Sequence, residues 1–195
     1  MGKFLTFLFL IIFFQSEVKA DDIRELEIEG ISIDNNALNF YQKKILDENK
    51  RYYPNSKKIW RTYIKLKDNK FELIQLHLDN NYKVVAVAGI IYFKDRANGK
   101  KNCINKRNEI VEDLSSVLKN TIKSSEEKNI HDGDITGKSY ELAVFFDFKD
   151  DYSEYVKVGC LISSNEYYNS KKQDHHLRLS LTSSKYHFWL KDEAY

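Results

Sequence analysis

Residues 82–93, YKVVAVAGIIYF, are apolar in both phases of a two-residue repeat. A strand with one face in water alternates apolar and polar side chains, whereas one apolar on both faces has to be covered by neighbours. The segment therefore predicts a central strand, around which the other elements must be arranged.

Two more runs of strand character precede it. Residues 58–66 put Trp60, Thr62, Ile64 and Leu66 on one face, and residues 71–78 follow the turn Lys67-Asp68-Asn69. Asp79-Asn80-Asn81 then leads into residues 82–93. Links this short and rich in Asp and Asn join antiparallel neighbours. A second set follows later. Leu142, Val144, Phe146 and Phe148 alternate in 140–148, residues 153–162 return after Lys149-Asp150-Asp151, and Leu177, Leu179 and Leu181 alternate in 175–182.

Helical spacing appears three times. Residues 35–48 carry Ala37, Leu38, Tyr41 and Ile45, with Asp34, Asn35 or Asn36 available as a cap. Residues 103–122 form the clearest amphipathic helix, with Ile110, Leu114, Val117 and Leu118 on one stripe. The C-terminal SSKYHFWLKDEAY brings Tyr186, Trp189 and Leu190 together. The predicted order is helix-βββ-helix-βββ-helix. That is a single α+β domain over 21–195, with an antiparallel sheet of about six strands and helices packed on it.

The first twenty residues have a different character. Lys3 precedes an eleven-residue apolar run from Phe4 to Phe14, broken only by Thr6, and Val18-Lys19-Ala20 suits cleavage ahead of Asp21. This is the layout of a secretory signal peptide over residues 1–20, and the run is too short for a bilayer span. Its removal leaves 175 residues with 29 Lys plus Arg against 28 Asp plus Glu. Such a balance gives no electrostatic footprint for nucleic acid. Once the signal is removed, no transmembrane segment is expected. A periplasmic location follows.

Export also bears on the two cysteines, Cys103 and Cys160. Lone pairs of cysteines in an oxidising compartment usually join. Cys103 opens the long helix, and Cys160 alternates with Val156, Val158 and Ile162 on the phase expected to face a helix. A disulfide is predicted, closing a loop of about 58 residues.

Several motifs resemble catalytic or metal-binding signatures, and each lacks its context. Gly30-Ile31-Ser32-Ile33-Asp34 approaches the G-x-S-x-G nucleophile elbow, but Asp34 replaces the second glycine and no earlier strand is available for the oxyanion loops. Ser32 is read as part of a strand-to-helix turn. Gly133 to Ser139 is one residue short of a phosphate loop and leads into a strand. Asp132, Asp134, Thr136 and Gly137 match only the first half of a calcium loop, so a solvated loop of Asx turns is expected. His175 and His176 are strand neighbours pointing to opposite faces, and they are expected at an edge or on the surface. No metal or other cofactor is expected, and no catalytic residue is assigned. One surface candidate remains. Lys50, Arg51, Lys57, Lys58, Trp60 and Arg61 interleave cations with aromatics, suiting an anionic polymer, a glycan or lipid headgroups.

The stretch IEGISIDNNALNFY, above all Ile28 to Leu38, resembles the opening of small exported proteins of SAR11-type marine alphaproteobacteria, I-E-G-[IM]-S-I-G-[DN]-S-L. The likeness continues loosely around Cys103 and from Ile110 to Leu118. It implies an exported protein and a shared fold but no chemistry. Asp34 stands where that motif has glycine. The expected function is a small soluble periplasmic binding or interaction module, its partner an envelope protein, glycan or anionic lipid surface. The alternative is an envelope enzyme, hydrolase-like, with a site assembled only by folding.

Overall fold

In a computed structural model of the protein, residues 20–195 are described. The expected export signal lies, apart from Ala20, outside the described residues. The described chain forms one antiparallel sheet with helices on it, an α+β architecture. The strands are β1 (Arg51–Tyr52), β2 (Ile59–Lys65), β3 (Leu73–Asp79), β4 (Val84–Phe93), β5 (Thr121–Lys123), β6 (Glu127–Ile130), β7 (Tyr140–Phe148), β8 (Tyr155–Ile162) and β9 (His175–Thr182). The helices are α1 (Lys43–Glu48), α2 (Gly99–Val117), α3 (Asn165–Lys171) and α4 (Ser184–Asp192).

The spatial order β1-β2-β3-β4-β9-β8-β7-β5, with β6 also on β7, explains why 82–93 is so apolar. β4 lies in mid-sheet between β3 and β9. From its end the chain crosses one face of the sheet as α2, reaches the far edge, and returns through β7 and β8. β9 then joins the two halves. α2 lies on β8, β9 and β4. Its stripe packs on the core as expected, with Val111 and Leu118 buried and Ile110, Leu114 and Val117 partly buried.

That covered face is the main core. Ile74, Leu76, Val87, Leu177, Val158 and Phe146 meet the inner side of α2 and the N-terminal Ile23, Ile28, Ile31 and Ile33. Cys103 and Cys160 lie in this layer at disulfide-bonding distance, with Cα atoms 6.0 Å apart, a separation a disulfide spans without backbone movement.

The observed elements differ from those predicted in four places. The sheet has nine strands among the described residues instead of about six, because the short edge pieces β1, β5 and β6 pair with β2 and β7. α2 starts earlier and ends earlier than 103–122. Asp95 accepts from the amides of Ala97 and Asn98 and so organises an earlier start, while Thr121–Lys123 leaves to pair with Phe146–Phe148. The expected helix over 35–48 is split into a 3₁₀ turn at Ala37–Asn39, capped by Asn36, and the short α1. α3, capped by Ser164, arises within 163–174, where no element was expected.

Ser32 lies in the N-terminal turn region. Glu29 and Gly30 both take positive φ, 52° and 78°, and Ile28 pairs with Ile31 on either side. This is the tight turn whose backbone twist suits antiparallel neighbours. The Ser32 hydroxyl donates to the Ile33 carbonyl at 3.4 Å, and its amide donates to the Asn35 side chain at 3.0 Å. Asp34 is also left-handed, φ 71°, and its carboxylate pairs with Arg24 and Lys83.

Candidate functional site: a groove on the open face of the sheet

The face of the sheet opposite α2 has only one end closed. α4 is fastened there by Ser183, whose hydroxyl donates to the Val85 carbonyl at 2.6 Å and accepts from the Tyr186 amide. Tyr186 and Trp189 pack with Tyr53, Ile59, Val85, Ala86 and Ala194 into a small second core. The rest of this face is a groove of about 730 Å³.

Strand alternation decides what lines it. The residues out of phase with the core are Arg61 and Tyr63 on β2, Gln75 and His77 on β3, Ala86, Ala88, Ile90 and Tyr92 on β4, His176, Arg178, Ser180 and Thr182 on β9, and Tyr155 and Lys157 on β8. Small residues form the floor. Ala88 lies in register between Gln75 and Ser180, and Gly159 lies between Ala143 and Arg178. A Cβ at Gly159 would collide with the Glu141 carboxylate, which pairs with Lys157 above it.

The polar side chains form a connected layer. Arg178 donates through Nε to Ser180 Oγ at 3.0 Å and through Nη1 to Gln75 Oε1. Gln75 donates onward to the Tyr63 hydroxyl at 3.1 Å. At the closed end, His77 Nδ1 is 2.9 Å from the Tyr53 hydroxyl, which is 2.8 Å from the Tyr186 hydroxyl. Burial, reinforced by the nearby Arg178 and Arg61 guanidiniums, holds the His77 imidazole far below its usual pKa. Burial likewise pushes the Tyr186 hydroxyl upward. At the open end, His176 is depressed to about 4, chiefly by burial, and bonds Gln173 through Nδ1 at 3.1 Å.

The groove lies apart from most residues singled out in the sequence. Trp60 and Arg61, adjacent on β2, point to opposite faces. Trp60 is buried under the Lys50 ammonium, 4.2 Å from its ring centroid, and Arg61 lines the groove. Arg51 stands opposite Arg61 in the β1–β2 register. Lys58 pairs with Glu193, and Lys57 is exposed. The six residues thus do not share one surface.

The histidines require a correction. β9 is central, so His175 and His176 are not edge residues. His175 is buried in the core-side phase, accepting from the Ser163 amide at 3.1 Å, and His176 faces the groove.

The 131–139 loop is mostly exposed and holds an Asx turn at Asp134, as expected, but Asp134 and Ser139 are buried. The Asp134 carboxylate is buried and accepts from the Thr136 amide and hydroxyl, the Ser139 amide and the Ser164 hydroxyl. These bonds, Ser139 foremost, hold it below the usual carboxylate range. Asp134 therefore ties this loop to the start of α3. Among the described residues, no group of three His, Cys, Asp or Glu side chains is placed to hold a metal ion.

Sequence reasoning missed Gln75, Arg178, Lys157 and the Tyr53–His77–Tyr186 chain. The signal available was the outward phase of 175–182. It reads His-Arg-Ser-Thr, where a solvated face usually carries Lys and Glu. Among the described residues, no helix is long and apolar enough to cross a membrane. A scan against known protein families finds no matching model, and a search of characterised proteins finds no match.

Proposed function

We propose that this is an exported, non-catalytic binding protein that holds a small polar ligand in the groove across the open face of its sheet. The observation carrying the reading is the composition of that face. Six strands supply a cavity of ligand size with a floor of small residues and walls of hydrogen-bonding and aromatic side chains. Pockets of this size with a few convergent polar groups are the usual form of small-molecule sites. A purely structural sheet face would be covered or would carry solvated charges.

The periplasm is the proposed location. The leader pattern over residues 1–20, the likeness of Ile28–Leu38 to exported SAR11-type proteins, and the Cys103–Cys160 pair all support it. The groove histidines favour binding over hydrolysis. Among the described residues, His77 and His131 bond tyrosines and His176 a glutamine, and none of the three bonds a serine or cysteine nucleophile.

Expression with the leader in a Gram-negative host, followed by native mass spectrometry of the periplasmic extract, tests this. The expected species is a chain beginning at Asp21 that carries a non-covalent small-molecule adduct. Ala88→Trp, which fills the groove floor, should lose the adduct. An adduct retained by that variant, or no adduct on the wild type, would contradict the reading.

A further inference from the structure

We infer that the closed end of the groove, formed by Arg61, His77 and Arg178, is built to seat an anionic group, a carboxylate or a phosphate. The inference deepens the groove reading above and rests on it. It starts from an unbalanced set of hydrogen-bonding groups.

His77 is only 3% exposed, yet its Nε2 is buried without a partner among the described residues, and so is Arg61 Nε. The proton on Nε2 follows from its neighbours. The Tyr53 hydroxyl contacts both His77 Nδ1 and the Tyr186 hydroxyl. If Tyr186 donates to Tyr53 and Tyr53 donates to Nδ1, both hydroxyl protons are used. The opposite direction leaves the Tyr186 proton without an acceptor. The first arrangement therefore makes neutral His77, a residue that lines the groove, an unpartnered Nε2–H donor.

The groups left over at this end are thus all donors: His77 Nε2–H, Arg61 Nε–H and the remaining Arg178 N–H groups. Their positions are contiguous. Arg61 and His77 are directly opposed across β2 and β3, and Arg178 reaches Gln75, the next groove-facing residue along β3. Charge points the same way. Neither Arg61 nor Arg178 has a carboxylate partner among the described residues, and Arg51 stands opposite Arg61, a like-charge pair that costs stability unless a counter-ion sits nearby. The groups facing His77 are Tyr53 from the segment after β1, Tyr186 from α4, Arg61 from β2 and Arg178 from β9, and none of them brings a negative charge. An anionic group seated here would meet donors from all three residues that line this end. Charge-assisted bonds of this type are the strong ones.

The test is a titration of the full mature chain with inorganic phosphate and, separately, with acetate, at ionic strength held constant with chloride. Binding is followed by calorimetry and by imidazole ¹⁵N NMR of His77. The expected result is saturable binding of one probe with a shift of the His77 Nε2 resonance, and Arg178→Gln should weaken it roughly tenfold or more. Phosphate alone binding identifies a phosphoryl group, and acetate alone a carboxylate. Arg61→Gln provides a second variant if Arg178→Gln does not fold. His77→Gln keeps a donor near the Nε2 position and should retain more binding than His77→Leu. Absence of saturable binding by either probe, or binding unchanged in both arginine variants, would overturn the inference. If a neutral adduct is still lost on filling the groove with Ala88→Trp, the anion seat fails while the groove reading stands.

Discussion

The two faces of this sheet are made by the same strands with different chemistry. On the α2 side, β9 presents Leu177 and Leu181 to a closed apolar layer that also holds the two cysteines. One residue along, it presents Arg178 to a groove. Period-two geometry lets one strand serve both ends without compromise. Stability therefore belongs to the covered face and the proposed recognition to the open one, and substitutions on the two sides should be separable.

The largest expected effect lies on the covered face. Replacing both cysteines, Cys103→Ala with Cys160→Ala, should destabilise the domain over 21–195 by about 4 kcal/mol on the chain-entropy scale for a loop of this length. Denaturant unfolding under non-reducing conditions measures it. Leu177→Ala should follow at ~2–5 kcal/mol, because its side chain is fully buried against α2. If either change left stability intact, the covered face would not be the stabilising one.

Acidification probes the buried histidines, two on the open face and His175, also depressed chiefly by burial, on the covered one. His77 and His176 are held neutral by burial, His176 down to about 4. The unfolded chain binds protons from about pH 6.5 downward, where the folded histidines do not. Stability should therefore fall as pH drops from 6.5 toward 4, and thermal melts across that window report it. A flat melting temperature, once the carboxylates are accounted for, would place these histidines in water. Arg178→Gln, by contrast, should cost about 1 kcal/mol, since Arg178 is itself only half-buried although its partners Gln75 and Ser180 are buried. The smallest effect is expected at Asp34→Gly. Relief of the left-handed backbone should roughly offset the exposed ion pairs with Arg24 and Lys83, leaving a net change within about 0.5 kcal/mol.

The covered face was the more legible one in the sequence. Alternation placed Trp60, Thr62 and Ile64 together, and the α2 stripe and the cysteine pair followed from periodicity and the expected compartment. The short strands β1, β5 and β6 were not legible, because two to four residues carry too little pattern to distinguish pairing from loop. The helix expected over 35–48 failed for a tertiary reason. Ala37 is buried with its amide donating to the Tyr82 carbonyl, which leaves only a 3₁₀ turn before α1. The groove was hidden because Arg61, His77 and Arg178 are brought together only by β9 entering beside β4, an insertion that local spacing does not encode.

The most direct test of the separation is amide chemical-shift mapping of the isotopically labelled mature chain during phosphate or acetate titration. Perturbations are expected to concentrate at Arg61, Gln75, His77 and Arg178, with α2 and Leu177 unmoved. Perturbations centred on α2, or on Lys50, Lys57 and Lys58 with the groove silent, would contradict that separation.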